Sequence, residues 1–188
     1  VLPEAELPYA YESNNFSDFK KRISLDKTII GGIWHVSEGN LFNSMVNFEL
    51  GGVYNKVHLV PFCEFIPLIS SLRGLISFFD MPMSDVTRGQ YNQESMLIGL
   101  NPKIQAAPLI CFDIAFGNTV RKSNISSLFM INISNDTWFG NSIGPHQHLE
   151  IARVRSIENN RWMIRATNDG FSAIIDNNGT IVDKLEKG

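Results

Sequence analysis

Ala107-Pro108-Leu109-Ile110-Cys111-Phe112-Asp113 is a short apolar run that ends on a thiol and a carboxylate, and it reads as a buried strand. A polar stretch from about Ala115 to Asn124 reads as a helix, and Leu128 to Ile133 as a second buried strand. Downstream, Gln147 to Asn160 carries Ile151, Val154 and Ile157 at helical spacing. Trp162 to Thr167 and Phe171 to Asp176 read as strands, and Asn178-Gly179 makes a hairpin turn into Ile181-Val182. Upstream, Phe16 to Lys27 is helical in pattern, and Thr28 to Val36 is a strand interrupted by Gly31-Gly32. Ser44 to Leu50 and Val53 to Val57 flank Gly51-Gly52, a hairpin signal with Lys56 near its end. Crossovers and hairpins together specify a layered α/β fold. Neither a repeat nor a linker divides residues 1–188, so one domain is expected. Val1-Leu2-Pro3-Glu4 reads as the end of a strand whose earlier partners lie outside the chain.

The totals exclude several roles. Of the 188 residues, 44% are hydrophobic and 19% charged, which suits a globular core rather than disorder. A net charge of -3 argues against nucleic acid, because neutralising phosphates requires clustered Lys and Arg. Two cysteines, Cys63 and Cys111, allow at most one bridge and leave thiols free for chemistry. Val1-Leu2-Pro3-Glu4 has neither the basic start nor the apolar run of a signal peptide, and no uninterrupted apolar stretch of these residues is long enough to span a bilayer. The segment Phe62 to Met83 is nonetheless rich in Ile, Leu, Phe and Met and broken by Pro67, Gly74 and Pro82. It reads as a lid that meets lipid, against the blander alternative of a core helix.

Cys111 stands at the carboxyl edge of a strand, where open α/β sheets place reactive groups. A lone thiol is more often a small buried hydrophobe, and with an ordinary pKa of ~8.5 it needs a neighbouring base or cation to become a nucleophile. The widely separated settings Leu2-Pro3-Glu4, Tyr54-Asn55-Lys56 with His58-Leu59-Val60-Pro61-Phe62, and Ile110-Cys111-Phe112-Asp113 hold a carboxylate, an ammonium and that thiol. They resemble the Glu-Lys-Cys triad of the nitrilase superfamily. Within it, the lysine segment with Glu64-Phe65 is similar to that of the apolipoprotein N-acyltransferases. So are Ser134-Asn135-Asp136, Trp138-Phe139-Gly140, Ser142-Ile143-Gly144-Pro145, Gln147-His148, the Ala152-Arg153 to Arg155 helix and Arg165-Ala166-Thr167-Asn168-Asp169-Gly170. The family usually has Gly at the place of Cys63, Trp-Pro-Glu at Leu2-Pro3-Glu4, and Cys-Tyr-Glu at Cys111-Phe112-Asp113.

The resemblance implies a four-layer αββα sandwich, truncated at its N-terminus, in which the triad meets in one pocket. It implies Glu4 as general base, Lys56 with the backbone N–H of Phe112 as oxyanion partners, and Cys111 as nucleophile. Glu64 is expected to hold Lys56, with Asp113 beside the pocket and Trp138 as a loop anchor or substrate contact. His58, His146 and His148 lack partners at zinc-ligand spacing and read as structural hydrogen-bonders, so neither metal nor cofactor is expected. The implied reaction passes an acyl group from a phospholipid through a thioester to the amine of a diacylglyceryl-cysteine apolipoprotein. The implied location is the bacterial inner membrane, with the domain facing the periplasm and the membrane met through the longer protein and residues 62–83. A soluble amidase or carbamoylase, or a non-catalytic binding fragment, are the alternatives.

Overall fold

Ser13 starts the first helix, α1 (Asn14–Arg22), its hydroxyl accepting a hydrogen bond from Phe16 N at 3.2 Å. The computed structural model describes residues 1–23, 27–65, 86–99 and 102–187. α1 ends earlier than its pattern predicts, because Ile23 turns to extended backbone and packs its side chain against the cluster around Phe16 and Phe48. Strands β1 (Ile30–Ser37) and β2 (Asn40–Asn47) pair antiparallel across Glu38-Gly39. Both turn residues have positive φ, 52° and 77°, as a tight two-residue hairpin requires. Sequence reading did not find this turn, since Glu rarely adopts that conformation. β3 (Val53–Asn55) pairs antiparallel with β2, so the hairpin predicted at Gly51-Gly52 is present. Its loop begins at Phe48, because the Asn47 side chain accepts from Glu49 N and Leu50 N and ends the strand early.

The second sheet has six strands in the order β4-β5-β6-β7-β8-β9. β4 (Met96–Ile98) lies antiparallel to β5 (Ile104–Ile110). β5, β6 (Phe129–Asn135) and β7 (Trp162–Asn168) are parallel, while β8 (Ser172–Ile175) and β9 (Ile181–Leu185) continue antiparallel. A 3-10 turn (Cys111–Ala115) and helix α2 (Gly117–Ser123) connect β5 to β6. A second 3-10 turn (Asp136–Phe139) and helix α3 (Gly144–Asn159) connect β6 to β7. Pro145 opens α3, and Asn160 closes it in the left-handed conformation. The buried residues of α3 include His148, Leu149, Ala152 and Ser156, whereas Val154 and Ile157 are exposed. The apolar stripe expected through Val154 and Ile157 is therefore corrected: small and polar residues, Ala152, Ser156 and His148, face the sheet instead.

Three buried clusters define four layers. Phe16 of α1 packs with Ile33 and Val46 of the first sheet's outer face and with Phe48 just beyond β2. Ile30, Met45 and Tyr54 of that sheet meet Met96, Ile110, Ile131 and Ile133 of the second. Leu109, Met130 and Met163 then pack against Val120 of α2 and Leu149 and Ala152 of α3. The order is α, β, β, α. Among the described residues no helix is long and apolar enough to cross a membrane. The lid read from Phe62 to Met83 lies outside the described residues from position 66 onward.

Candidate active site

Glycine at position 32 brings the first candidate into place. Leu2 N donates to Ile30 O at 2.7 Å and Gly32 N to Pro3 O at 3.0 Å, so the opening segment lies along β1. A Cβ at Gly32 would sit 2.4 Å from Ala5 N and 2.6 Å from Glu4 Cα, so no larger residue allows that approach. Lys56 follows β3, its backbone fixed by Lys56 N donating to Asn43 O and Gly89 N donating to Lys56 O, both at 2.8 Å. Cys111 follows β5 directly and opens its 3-10 turn, at the carboxyl ends of the parallel strands.

Glu4, Lys56, Glu64 and Cys111 all line one cavity of about 330 Å³. Lys56 Nζ lies 2.9 Å from Glu4 Oε1 and 2.8 Å from Glu64 Oε2. Asn43 Nδ2 donates to both carboxylates, at 2.6 Å to Glu4 and 2.9 Å to Glu64. Two backbone N–H groups complete the set, Asn135 N to Glu4 Oε2 at 2.8 Å and Val60 N to Glu64 Oε2 at 2.9 Å. Burial works against the Lys56 charge, but Glu4, Cys111 and Glu64 outweigh it and hold the ammonium above the ordinary lysine range. One cation between two carboxylates leaves the cluster short of positive charge. Burial first, and then the Glu4 charge, push the Cys111 thiol up to about 12 against the pull of Lys56 and a hydrogen bond with Ser134. The resting group is a thiol, so a base has to remove its proton during attack.

Backbone strain gathers around the cavity. Cys111 has a φ of 45°, and Ala5, Phe62 and Asp169, each next to a residue of the site or its supports, are also in the left-handed region. Such a conformation costs ~1–3 kcal/mol per residue and persists only where the surroundings enforce it. Asp113, fully buried, accepts from His58 N at 2.7 Å, Ile110 N at 3.2 Å and Tyr54 Oη at 3.2 Å. Burial outweighs these contacts and raises its carboxyl to about 6. Phe112 and Trp138 line the cavity too; Trp138 is 65% exposed, which places it at the wall facing solvent. Cys63 shares the lining, and both cysteines are free thiols. The remaining lining is largely apolar, including Trp34, Val60, Phe139 and Ile151.

Sequence reading missed Asn43, which no local motif marks, and gave no role to Asp136 and Arg165. Two of the three histidines read as structural hydrogen-bonders do bond, His58 Nε2 lying 2.7 Å from Thr119 Oγ1 and His148 Nδ1 2.8 Å from Asp136 Oδ1, whereas His146 sets its ring against Phe171 at 4.7 Å between centroids. Among the described residues no group of three or more His, Cys, Asp or Glu is arranged to hold a metal ion.

Residues 24–188 match the family model described as carbon-nitrogen hydrolase. Over 98% of its length the chain is 40% identical to an apolipoprotein N-acyltransferase of Pseudomonas paraeruginosa, covering 37% of that relative. Over 73% of its length it is 47% identical to the enzyme of the same name from Pseudomonas syringae pv. tomato, covering 27% of it. The chain thus spans roughly a quarter to two-fifths of the curated relatives it matches. In fold it is similar to the crystal structure of a carbon-nitrogen hydrolase from Helicobacter pylori, with a TM-score of 0.68, 14% identity, and coverage of 92% of this chain and 63% of that one. Two facing sheets between helices, a strand-end cysteine and the match over residues 24–188 agree: the chain belongs to the carbon-nitrogen hydrolase family.

Proposed function

We propose that the domain transfers a fatty acyl group from a phospholipid to the N-terminal amine of a diacylglyceryl-cysteine apolipoprotein. The observation that carries this reading is the convergence of Glu4, Lys56 and Cys111 on one largely apolar cavity. The names of the relatives, apolipoprotein N-acyltransferase, support acyl transfer to a nitrogen of an apolipoprotein, and the phospholipid donor is what the resemblance in sequence implies. Glu4 takes the proton as Cys111 Sγ attacks the ester carbonyl. Lys56 and the Phe112 N–H stabilise the oxyanion; one such donor is commonly worth ~10²–10³ in kcat. The lysophospholipid alkoxide leaves with the proton from Glu4, and the acyl group remains as a thioester. The acceptor amine then attacks, Glu4 takes its proton, and the Cys111 thiolate departs and is reprotonated, leaving an amide. Glu64 balances Lys56 throughout, so the cluster keeps a cation when Glu4 becomes neutral.

The apolar wall suits an acyl chain and excludes water, which otherwise hydrolyses the thioester. The reading places the domain on the periplasmic face of the bacterial inner membrane, reached through the longer protein. Intact-mass measurement after incubation with phosphatidylethanolamine vesicles tests it. An acyl-sized, hydroxylamine-sensitive adduct on Cys111 supports the transferase; turnover of small amides without that adduct supports an amidase; neither supports a binding fragment.

A further inference from the structure

The acyl-transfer steps leave a buried ion pair without a task. Arg165 Nη2 donates to Asp136 Oδ2 at 2.9 Å, and both side chains are wholly hidden from solvent. Arg165 Nη1 donates to the Asn132 side chain, while Arg165 Nε has no partner among the described residues. A buried pair of this kind is seldom more stabilising than well-packed apolar residues, and an orphaned donor adds a desolvation penalty. Stability is therefore a poor account of it, and its contacts point elsewhere. Asp136 Oδ1 accepts from Ser134 Oγ at 2.8 Å and lies 2.8 Å from His148 Nδ1. The other ring nitrogen, His148 Nε2, lies 3.4 Å from the carbonyl oxygen of Cys111. Gly170 makes room for this arrangement, since a Cβ there would lie 2.5 Å from Asp136 Oδ2.

The Cys111 carbonyl and the Phe112 N–H belong to one planar trans peptide, and in such a peptide the two groups point in opposite directions. Whatever anchors the oxygen therefore aims the hydrogen. That plane turns about Cys111 ψ and Phe112 φ, beside a Cys111 whose φ of 45° already marks backbone held in place by its surroundings, so an anchor on the oxygen fixes the aim of the hydrogen. We infer that His148, oriented by Asp136 and Arg165, is a positioning residue that holds the Cys111–Phe112 peptide so that the Phe112 N–H faces the oxyanion. This inference rests on the acyl-transfer reading for its substrate, but only on carbonyl chemistry at Cys111 for its logic.

Two reactions of the same sulfur separate aim from mere integrity, measured on the protein at its natural length. Acylation of Cys111 by p-nitrophenyl butyrate passes through an oxyanion, whereas alkylation by iodoacetamide does not. His148→Ala is expected to slow acylation ~10²-fold, through kcat rather than KM, the loss typical of one oxyanion donor. Iodoacetamide is expected to alkylate the variant within about threefold of the wild-type rate, since alkylation passes through no oxyanion and a smaller side chain at this cavity wall does not close the way to the sulfur. His148→Gln, which returns an N–H donor near the carbonyl, is expected to recover acylation to within ~10-fold of wild type. The paired replacement Arg165→Met with Asp136→Leu leaves no unpaired charge and is expected to reproduce the His148→Ala split. Equal losses in both reactions, or wild-type acylation in His148→Ala, would overturn the inference. A wild-type protein that takes acyl groups from the ester in a His148-dependent way but none from phosphatidylethanolamine would remove the phospholipid reading and leave the positioning role standing.

Discussion

Glu4 and Lys56, 52 positions apart in the chain, meet at 2.9 Å with 6% and 2% of their side chains exposed. Removing the cation strands two carboxylates, Glu4 and Glu64, beside one another in a dry cluster. Lys56→Met is expected to lower stability by ~3–5 kcal/mol, the usual consequence of breaking a buried pair from one side. Adding Glu4→Gln and Glu64→Gln removes the stranded charges and is expected to restore most of that loss without restoring acylation. Urea unfolding checks the first statement and an acylation assay the second. Equal stability of the single and triple variants would contradict the charge argument.

The Gly32→Ala variant tests the placement of Glu4 without touching any charged group. The new methyl collides with backbone at Ala5 and Glu4, so the segment must move off β1. A misplacement on the order of 1 Å at a reacting group can cost ~10²-fold in rate, and that is the expected fall in Cys111 acylation. Iodoacetamide labelling of Cys111 should change far less, because the sulfur does not sit on that segment.

Cys111 should titrate late. With its thiol raised to about 12 by burial and the Glu4 charge, the thiolate is scarce at neutral pH. The rate of iodoacetamide labelling is therefore expected to rise about tenfold per pH unit up to pH ~10, with no plateau near the ordinary thiol range. A plateau between pH 8 and ~9 would contradict the electrostatic picture of the cluster.

Asp113 makes an opposite kind of prediction, about stability. Its folded carboxyl is raised from 3.8 to about 6, mainly by burial. Between those values the unfolded chain has lost the proton that the folded protein keeps, so fewer protons are bound in the unfolded state and stability falls as pH rises. The favourable share is full below about pH 4 and gone above about pH 6, a span of roughly 3 kcal/mol at ~1.4 kcal/mol per unit. Unfolding measured from pH 4 to ~7 should show this slope in the wild type and a flatter line in Asp113→Asn. Parallel lines would refute it.

Much of this was legible in the order of residues. The run from Ala107 to Cys111 followed by a polar stretch gives the crossover, because a short apolar run needs cover on both faces. The Glu38-Gly39 turn escaped notice because a glutamate at positive φ carries no compositional mark. α3 was misread because its buried side holds His148, Ala152 and Ser156, a polar ring and two small residues that carry no apolar periodicity. The site divides the same way. Glu4, Lys56 and Cys111 each stand in a recognisable local setting, yet their meeting depends on three elements from two sheets. Asn43, Asp136 and Arg165 act through partners 39 and 29 positions away, so no local pattern reveals them.

The central claim is that Cys111 holds an acyl group destined for an amine, and following a labelled acyl group through one turnover tests it most directly. Protein charged with labelled phosphatidylethanolamine acyl chain is freed of lipid and mixed with a synthetic diacylglyceryl-cysteine peptide. The label is expected to leave Cys111 and appear as an amide on the peptide's N-terminus, and to stay on the protein when that amine is acetylated. Label released as free fatty acid at the same rate with either peptide, or found on a residue other than Cys111, would contradict the account.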